Sequence, residues 1–252
     1  ECIHMKILIA LATYNRPIIT DLCLKNLQAV RNSDTKLVVY DDHSEAYSVD
    51  YLRGYADEVV RFEARGGIEK SRARTLRDFL SKYTEYDLLY LTDNDAIHDP
   101  IFADLLRGIF DGQQQHGAEI YPVGLFNSVF HQNRLMAENE KFFLYETCPG
   151  ISMCYTRDMV KLIVDYLDQE PAAESAYGWD MTWPKVLNRP FLLPKNSYVE
   201  HFARDRFEAG MHSNNSGISP DALLDFERDR ALNPTDHLIE ARPYIIKSIL
   251  GI

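Results

Sequence analysis

The chain has 252 residues, of which 46% are hydrophobic and 26% are charged, a composition typical of a folded globular protein. Its 38 aspartates and glutamates exceed its 27 lysines and arginines, which gives a net charge of −11 at pH 7. Because nucleic acids are polyanions, this charge argues against a nucleic-acid-binding function.

Cysteine content and hydrophobicity along the chain predict a cytoplasmic protein. The four cysteines are too few and too unevenly spaced for a disulfide framework, which favours a reducing compartment. No apolar run reaches the about 20 residues that a membrane-spanning helix requires. We therefore expect a protein of the cytoplasm without a transmembrane segment. Peripheral contact with a membrane and homo-oligomerisation stay open.

The first 100 residues predict alternating strands and helices. A continuous apolar run predicts a buried strand over residues 6–12, and further strands are predicted over residues 36–40, 58–62 and 87–92. Helical spacing of the apolar residues between these strands predicts helices over residues 18–30, 50–55 and 68–83. Pro17 suits the first turn of the first of these helices. The alternation predicts an α/β fold with a Rossmann-like, doubly wound and mostly parallel sheet that has helices on both faces.

The second part of the chain has a looser order of elements. We expect helices at 101–114, 157–168 and 179–187, strands at 119–126 and 150–155, and an extended segment at 191–199. Residues 127–147 suit a variable loop or hairpin. Residues 203–220 are rich in small polar residues and predict a loop. One helix and a last apolar segment at 244–252 are expected in the tail.

Three polar clusters follow predicted strands, at residues 13–17, 41–44 and 93–95. In open parallel sheets, ligands bind outside the carboxyl ends of the strands, so we expect these clusters to converge. Asp93-Asn94-Asp95 places hard oxygen ligands at alternate positions of a turn, which suits a divalent cation such as Mn²⁺ or Mg²⁺. Acidic residues also cap turns after strands without any ligand, and at this point both interpretations stand.

A glycine pair precedes the helix predicted at 68–83. Lys70, Arg72 and Arg74 place three positive charges in its first turns, where the helix dipole disfavours cations. This arrangement indicates an anion such as phosphate at the helix N-terminus. The alternative is a solvated helix face whose cations pair with Glu69 or Asp78.

Taken together, the motifs ILIALATYNRP, VVYDDHS, GGIEKSRART, YLTDND and YGWDMTW resemble those of family 2 glycosyltransferases of the GT-A fold. They occur in the same order, over residues 6–205. Two other classes of nucleotide-binding protein, the P-loop proteins and the dehydrogenases, do not fit. The chain has no G-x-x-x-x-G-K-[ST] motif and no G-x-G-x-x-G after its first strand.

The resemblance implies a nucleotide-diphospho-sugar donor, of the UDP, GDP or dTDP type, and an acceptor hydroxyl on a glycan or glycoconjugate. The donor-binding positions that it implies are Thr13, Tyr14, Arg16, Asp41, Asp42, Lys70, Arg74, Asp93 and Asn94. It also implies Asp95 and His201 as ligands of Mn²⁺ or Mg²⁺, with His212 as an alternative to His201.

Asp180, in Gly178-Trp179-Asp180, falls where the family has its general base. The implied reaction is an inverting transfer, in which the base accepts the proton of the acceptor hydroxyl as that hydroxyl attacks the anomeric carbon. Positive charge from the metal and from Lys70 or Arg74 would neutralise the leaving diphosphate.

The resemblance implies one GT-A domain at 5–220, with a nucleotide-binding half at 5–100 and an acceptor-binding half at 101–220. A helical tail follows at 221–252. Two alternatives stay open. A sugar nucleotidyltransferase has a similar sheet, although the absence of glycine from residues 13–17 counts against it. The other is an inactive protein that binds a nucleotide sugar or a glycan.

Residues 210–215 are glycine and small polar residues for the most part, which suits a mobile lid over the donor.

Overall fold

A computed structural model describes residues 5–117, 119–128, 134–175, 178–202 and 231–250. Its strands are β1 (Ile7–Thr13), β2 (Thr35–Asp41), β3 (Glu58–Arg61), β4 (Leu88–Asp93), β5 (Ala96–His98), β6 (Val123–Gly124), β7 (Leu135–Glu138), β8 (Phe142–Tyr145), β9 (Ser152–Thr156), β10 (Phe191–Pro194) and β11 (Val199–His201). Its α-helices are α1 (Pro17–Val30), α2 (Val49–Arg53), α3 (Ile68–Ser81), α4 (Phe102–Gln115), α5 (Arg157–Gln169), α6 (Trp179–Leu187) and α7 (Asp236–Leu250).

Nine strands form one sheet in the order β3-β2-β1-β4-β9-β6-β10-β8-β7. The first four strands of this order pair in parallel. Within the sheet, β8 and β9 run against the direction of the other strands. The predicted α/β class with a mostly parallel sheet is thereby confirmed.

Both faces of the sheet are covered by helices, as the continuous apolar character of its first strand predicts. Ile7, Ile9 and Leu11 of β1 pack with side chains of α1 and α4 on one face. Leu8 and Ala10 point the other way and pack with α3 and α5. All seven residues of β1 are buried, so this strand forms the centre of the core.

The strand predicted at 119–126 is much shorter, since β6 covers Val123–Gly124 alone. The side chain of Gln113 accepts a hydrogen bond from the backbone N–H of Tyr121 at 2.7 Å and donates to its carbonyl oxygen at 3.2 Å. Pro122 follows and has no N–H to donate. Tyr121 therefore bonds to α4, and the carbonyl of Ile120 accepts a hydrogen bond from Arg189, so these residues do not extend the strand.

The extended segment predicted at 191–199 divides into two strands that belong to different sheets. β10 stays in the main sheet, whereas β11 pairs antiparallel with β5 in a separate two-stranded sheet. β5 is not among the predicted strands, because three residues after an acidic turn carry no periodic signal. This small sheet projects beyond the carboxyl end of β4, where Asp95 lies.

Helix α7 packs on the layer formed by α1 and the two-stranded sheet. Leu238 and Ile245 of α7 contact a cluster that includes Ile19, Ile97 and Phe202. The helix continues through much of the apolar segment predicted at 244–252. In the described part of the chain, none of the helices has the length and apolar character needed to cross a membrane.

Candidate active site

The register of the sheet brings the three polar clusters together. Thr13 at the end of β1 pairs with Asp41 at the end of β2, and Ala12 pairs with Asp93 at the end of β4. The loops that follow these strands therefore leave the sheet side by side at one edge. This is the edge at which open parallel sheets bind ligands.

The loop between β1 and α1 has an uncommon backbone. Asn15 and Arg16 have φ angles of 50° and 60°, in the left-handed region that side chains other than glycine rarely adopt. The Asn15 side-chain oxygen accepts hydrogen bonds from the N–H groups of Glu45 and Ala46, at 2.9 and 3.1 Å. These bonds hold the loop against the segment after β2 and fix the direction in which Arg16 leaves the backbone.

Asp95 lies at the centre of the site and is buried. Its Oδ2 atom accepts a hydrogen bond from Nη1 of Arg16 at 2.8 Å and lies 3.3 Å from Nε2 of His201. Its Oδ1 atom is also buried, and no described residue gives it a hydrogen bond. Burial opposes ionisation, but His201 and Arg16 outweigh it and lower the pKa of the Asp95 carboxyl. Asp95 therefore carries a stable negative charge and one oxygen that can accept a ligand.

The small sheet brings His201 to Asp95 across more than a hundred residues of sequence. His201 pairs in register with Ala96, the residue after Asp95. Its neighbour Glu200 is buried and accepts a hydrogen bond at 2.7 Å from Arg242 of α7. The ring of Phe126 meets the His201 imidazole edge to face, with 5.9 Å between ring centres. Contacts on both sides of β11 thus define where His201 lies.

Asp93 is bound by a fully buried arginine. Arg72 of α3 donates to Oδ1 of Asp93 at 2.5 Å, to the carbonyl of Thr92 at 2.8 Å and to the carbonyl of Ala10 at 3.3 Å. Burial raises the pKa of the Asp93 carboxyl, Arg72 opposes this shift, and the nearby Asp95 charge adds to it. Arg72 therefore fixes the orientation of Asp93 and supplies its counter-charge.

Asn94 holds the turn between the two aspartates against the first strand. Its side-chain NH₂ group donates to Oγ1 of Thr20 at 2.8 Å and to Oγ1 of Thr13 at 3.2 Å. Both Asn94 and Thr13 are buried. In this structure the two proposed donor-binding residues stabilise the loop that carries Asp93 and Asp95.

The acidic pair after β2 is hydrogen-bonded within the protein. Asp41 is fully buried and binds the backbone N–H of Ser44, at 3.1 Å, and the guanidinium of Arg61. The two carboxylate oxygens of Asp42 accept hydrogen bonds from the N–H groups of Gly66 and Gly67, at 2.6 and 2.8 Å. Asp42 thereby closes the loop that precedes α3.

The three cations at the start of α3 lie on two faces of that helix. Lys70 is exposed, and Arg74 is exposed and paired with Asp78 at 2.9 Å. Arg72, two residues before Arg74, points to the opposite face and into the sheet. In this structure Arg72 reaches the Asp93–Asp95 turn, whereas Arg74 pairs along its own helix.

Arg72 belongs to the site but is not among the site residues expected from the sequence, where it counts only as one of three positive charges at the start of α3. A signal for its position exists in the sequence. Arg72, Leu76 and Phe79 follow the helical period of four and three residues, and all three are fully buried. An arginine on the apolar face of a helix that packs on a sheet requires a carboxylate or carbonyl partner, and here the Asp93 carboxylate and the Thr92 carbonyl are such partners.

Tyr14 contributes a ring at the entrance to the same edge. The guanidinium carbon of Arg65 lies 4.3 Å from the centre of the Tyr14 ring, a cation–π distance. Tyr14 is partly buried and Arg65 is exposed. The pair forms a flat surface beside the loop that Asp42 holds.

Asp180 lies in the first turn of α6, after Gly178, whose φ of 90° starts the helix sharply. Burial raises the pKa of the Asp180 carboxyl above the usual value for aspartate, although backbone N–H groups at the helix start partly oppose this. Trp179 lies over Arg72, with 5.3 Å between the guanidinium carbon and the ring centre. A chain of contacts therefore joins the residue before Asp180 to Asp93.

The side chains of Asp95 and His201 could supply part of the coordination shell of a divalent cation. No group of three or more His, Cys, Asp and Glu side chains forms a closed metal site within the described ranges. The His201 imidazole lies 3.3 Å from Oδ2 of Asp95, and no described residue donates a hydrogen bond to the Oδ1 atom of that carboxylate. A carboxylate beside an imidazole suits a cation that takes its other ligands from phosphate oxygens and water. His212 and the lid predicted at 210–215 lie outside the described residues.

Similar architecture occurs in solved glycosyltransferases. The S. aureus TarS structure in complex with UDP-GlcNAc matches with a TM-score of 0.55 and 17% identity, over 88% of this chain and 64% of that one. A structure of GalNAc-T7 with UDP, GalNAc and Mn²⁺ matches with a TM-score of 0.56 and 13% identity, over 88% of this chain and 47% of that one. The chain has the GT-A fold. It spans less than two thirds of the length of these two structures.

Comparison of the amino-acid sequence with family models and with curated proteins gives no match. At 13–17% identity, the likeness to the two solved structures establishes the fold.

Proposed function

We propose that the chain is a family 2-like, inverting glycosyltransferase that moves a sugar from a nucleotide-diphospho-sugar to a hydroxyl of a glycan or glycoconjugate. The observation that carries this proposal is the buried Asp95 carboxylate, which lies beside His201 and Arg16 and has one oxygen to which no described residue donates a hydrogen bond. The Asp95 carboxylate follows β4, at the edge of the sheet where a diphosphate would bind in a GT-A fold.

The donor would lie over the carboxyl ends of β1, β2 and β4, in the half formed by residues 5–100. Arg16 and Lys70 would supply positive charge toward the diphosphate, and the partly buried ring of Tyr14 would supply a flat apolar surface for the base. A uridine nucleotide is the first donor to test, because the solved TarS and GalNAc-T7 structures contain UDP-GlcNAc and UDP.

Asp95 and His201 would hold the divalent cation, Mn²⁺ or Mg²⁺. When bound, this cation would neutralise negative charge on the departing nucleoside diphosphate. Asp93 and Arg72 would keep the turn that carries Asp95 in place, since Arg72 binds both the Asp93 carboxylate and the neighbouring Thr92 carbonyl.

Asp180 would act as the general base. As the acceptor oxygen forms its bond to the anomeric carbon, the bond from that carbon to the diphosphate breaks, and the Asp180 carboxylate accepts the hydroxyl proton. Its raised pKa, caused by burial, makes the carboxylate a stronger base than a solvated aspartate. Because the acceptor oxygen attacks from the side opposite the diphosphate, the configuration at the anomeric carbon is inverted.

The proposal is tested by release of UDP from UDP-sugars in the presence of Mn²⁺, first with water and then with glycan acceptors. We expect the wild type to release UDP and Asp180→Asn to be slower by about a hundred- to ten-thousand-fold, since it lacks the base. Asp165→Asn, on the exposed side of α5, is the matched control and should keep wild-type activity. Equal rates for wild type and Asp180→Asn would contradict the role of Asp180, and binding without turnover would identify an inactive sugar-nucleotide-binding protein.

A further inference from the structure

Arg16 and Asp95 form an ion pair inside the candidate site. Their side chains are 4% and 9% exposed, and Nη1 of Arg16 lies 2.8 Å from Oδ2 of Asp95. The two residues are 79 positions apart, so the fold as a whole brings them together. Asp95 therefore has a cationic partner within the protein itself.

The backbone that presents Arg16 is strained. Arg16 has φ 60° and ψ 59°, a left-handed conformation that is rare for a residue with a long side chain. Asn15 is left-handed as well and is bonded to the segment after β2, while Pro17 starts α1 immediately afterwards. Such strain persists only where the surrounding contacts demand it, and it concentrates at ligand-binding sites.

We propose that Arg16 couples metal binding to nucleotide binding at this site. The inference rests on the proposed function, because it concerns the same cation and the same diphosphate. Without nucleotide, a divalent cation at Asp95 must share one carboxylate with the buried Arg16 guanidinium, and the two positive charges repel each other. The Arg16 charge therefore keeps the metal affinity of the unliganded protein low.

A nucleoside diphosphate changes this balance. Bound at this edge of the sheet, its negative oxygens would neutralise both cations, and Arg16 could then donate its hydrogen bonds to phosphate while Asp95 binds the metal. Metal affinity must then rise when the nucleotide binds. By thermodynamic linkage, nucleotide affinity must rise by the same factor when the metal binds. Arg16 would thus make the two ligands bind as a unit.

The test measures Mn²⁺ binding to the full chain by the electron paramagnetic resonance signal of free Mn²⁺, with and without UDP. We expect weak Mn²⁺ binding to the wild type alone and an enhancement by UDP of about 5- to 150-fold, the usual range of coupling between two sites. Arg16→Gln should bind Mn²⁺ alone about tenfold more tightly and show a smaller UDP enhancement, since the competing charge is gone.

Three further variants make the comparison specific. Arg16→Met is a second neutral variant and replaces Arg16→Gln if that protein does not fold, as judged by circular dichroism. Arg16→Lys keeps the positive charge and should retain weak Mn²⁺ binding without UDP. Arg53→Gln removes an arginine from an exposed pair with Asp50 and should match the wild type in every measurement.

Two results would overturn the inference in different ways. If the wild type binds Mn²⁺ and UDP but the neutral Arg16 variants have unchanged Mn²⁺ affinity without UDP, then Arg16 does not couple the two ligands and the proposed function still stands. If the wild type binds neither UDP nor Mn²⁺ in any combination, the proposed function fails and the inference fails with it.

Discussion

The guanidinium of Arg72 lies against the ring of Trp179, with 5.3 Å between the guanidinium carbon and the ring centre. The same guanidinium donates to the Asp93 carboxylate at 2.5 Å. Trp179 immediately precedes Asp180, so one buried cation touches both the acidic turn after β4 and the start of the helix that carries the proposed base. The acidic turn after β4 and the start of α6 are thus connected through a single side chain.

Replacing this cation should destabilise the protein strongly. Arg72→Met leaves the Asp93 carboxylate and the Thr92 carbonyl without their buried donor, which should lower the free energy of unfolding by about 3 kcal/mol. Arg74→Met, on the exposed face of the same helix, should cost less than about 1 kcal/mol. Urea denaturation of the two variants measures the difference. Similar losses for both would show that the Arg72 contacts do not hold the site together.

Gly150 sets the distance between the loop before β9 and the start of α6. A Cβ atom at Gly150 would lie 2.8 Å from Cζ2 of Trp179, too close for carbon atoms. Gly150→Ala should therefore shift Trp179 and Asp180, with a loss of about 1–3 kcal/mol in stability. We expect lower turnover and unchanged UDP affinity, because the residues proposed to bind the donor lie on other loops.

The control for this substitution is Gly108→Ala in α4. A Cβ at Gly108 meets no other atom within 4 Å, so the variant should gain about 0.5–1 kcal/mol from the better helix propensity of alanine. Calorimetric melting and UDP-release rates distinguish the two variants. Wild-type turnover in Gly150→Ala would contradict the placement of Asp180 in the reacting site.

Activity should depend on the ionisation of Asp180. Burial raises the pKa of this carboxyl, and only the deprotonated form can accept a proton. The UDP-release rate should therefore fall on the acid side, with a midpoint above the usual pKa of an aspartate. A pH profile of kcat/KM gives the midpoint, and one at or below the usual aspartate value would contradict the assignment.

The same shift has a consequence for stability. A raised pKa in the folded state means that the protonated carboxyl stabilises the fold below its unfolded pKa, and that this contribution is lost as pH rises through the folded pKa. Asp180→Asn removes the ionisation, so its stability relative to the wild type should increase as the pH rises from about 4 to about 8. Urea denaturation at several pH values checks the sign.

The first half of the fold can be predicted from the sequence because β1, β2 and β4 are largely apolar runs buried on both sides. For the same reason, residues 13–17, 41–44 and 93–95 can be expected at one edge of the sheet. The sequence gives less guidance where structure depends on pairing between distant segments. The two-stranded sheet joins Ala96 to His201, and neither short strand has a periodic pattern of its own.

The partners of the acidic residues could not be predicted for a similar reason. Asp42 binds backbone N–H groups of Gly66 and Gly67, a contact that depends on how the loop after β3 folds back. The pair of Arg16 with Asp95 depends on a left-handed backbone and on the parallel pairing of β1 with β4. Residue types at the strand ends predict the kind of chemistry, whereas the hydrogen bonds follow from the assembled sheet.

The most direct test of the central claim is the melting temperature of the protein with UDP, GDP and dTDP, each in Mn²⁺ or EDTA. A ligand at about 100 times its dissociation constant stabilises the folded state by about 2.7 kcal/mol, which is readily detected. We expect UDP to raise the melting temperature with Mn²⁺ but not with EDTA, and Asp95→Asn to abolish the increase. The exposed control Asp50→Asn should keep it. No increase with any nucleotide, or an equal increase in Asp95→Asn, would contradict a nucleotide-sugar site at Asp95.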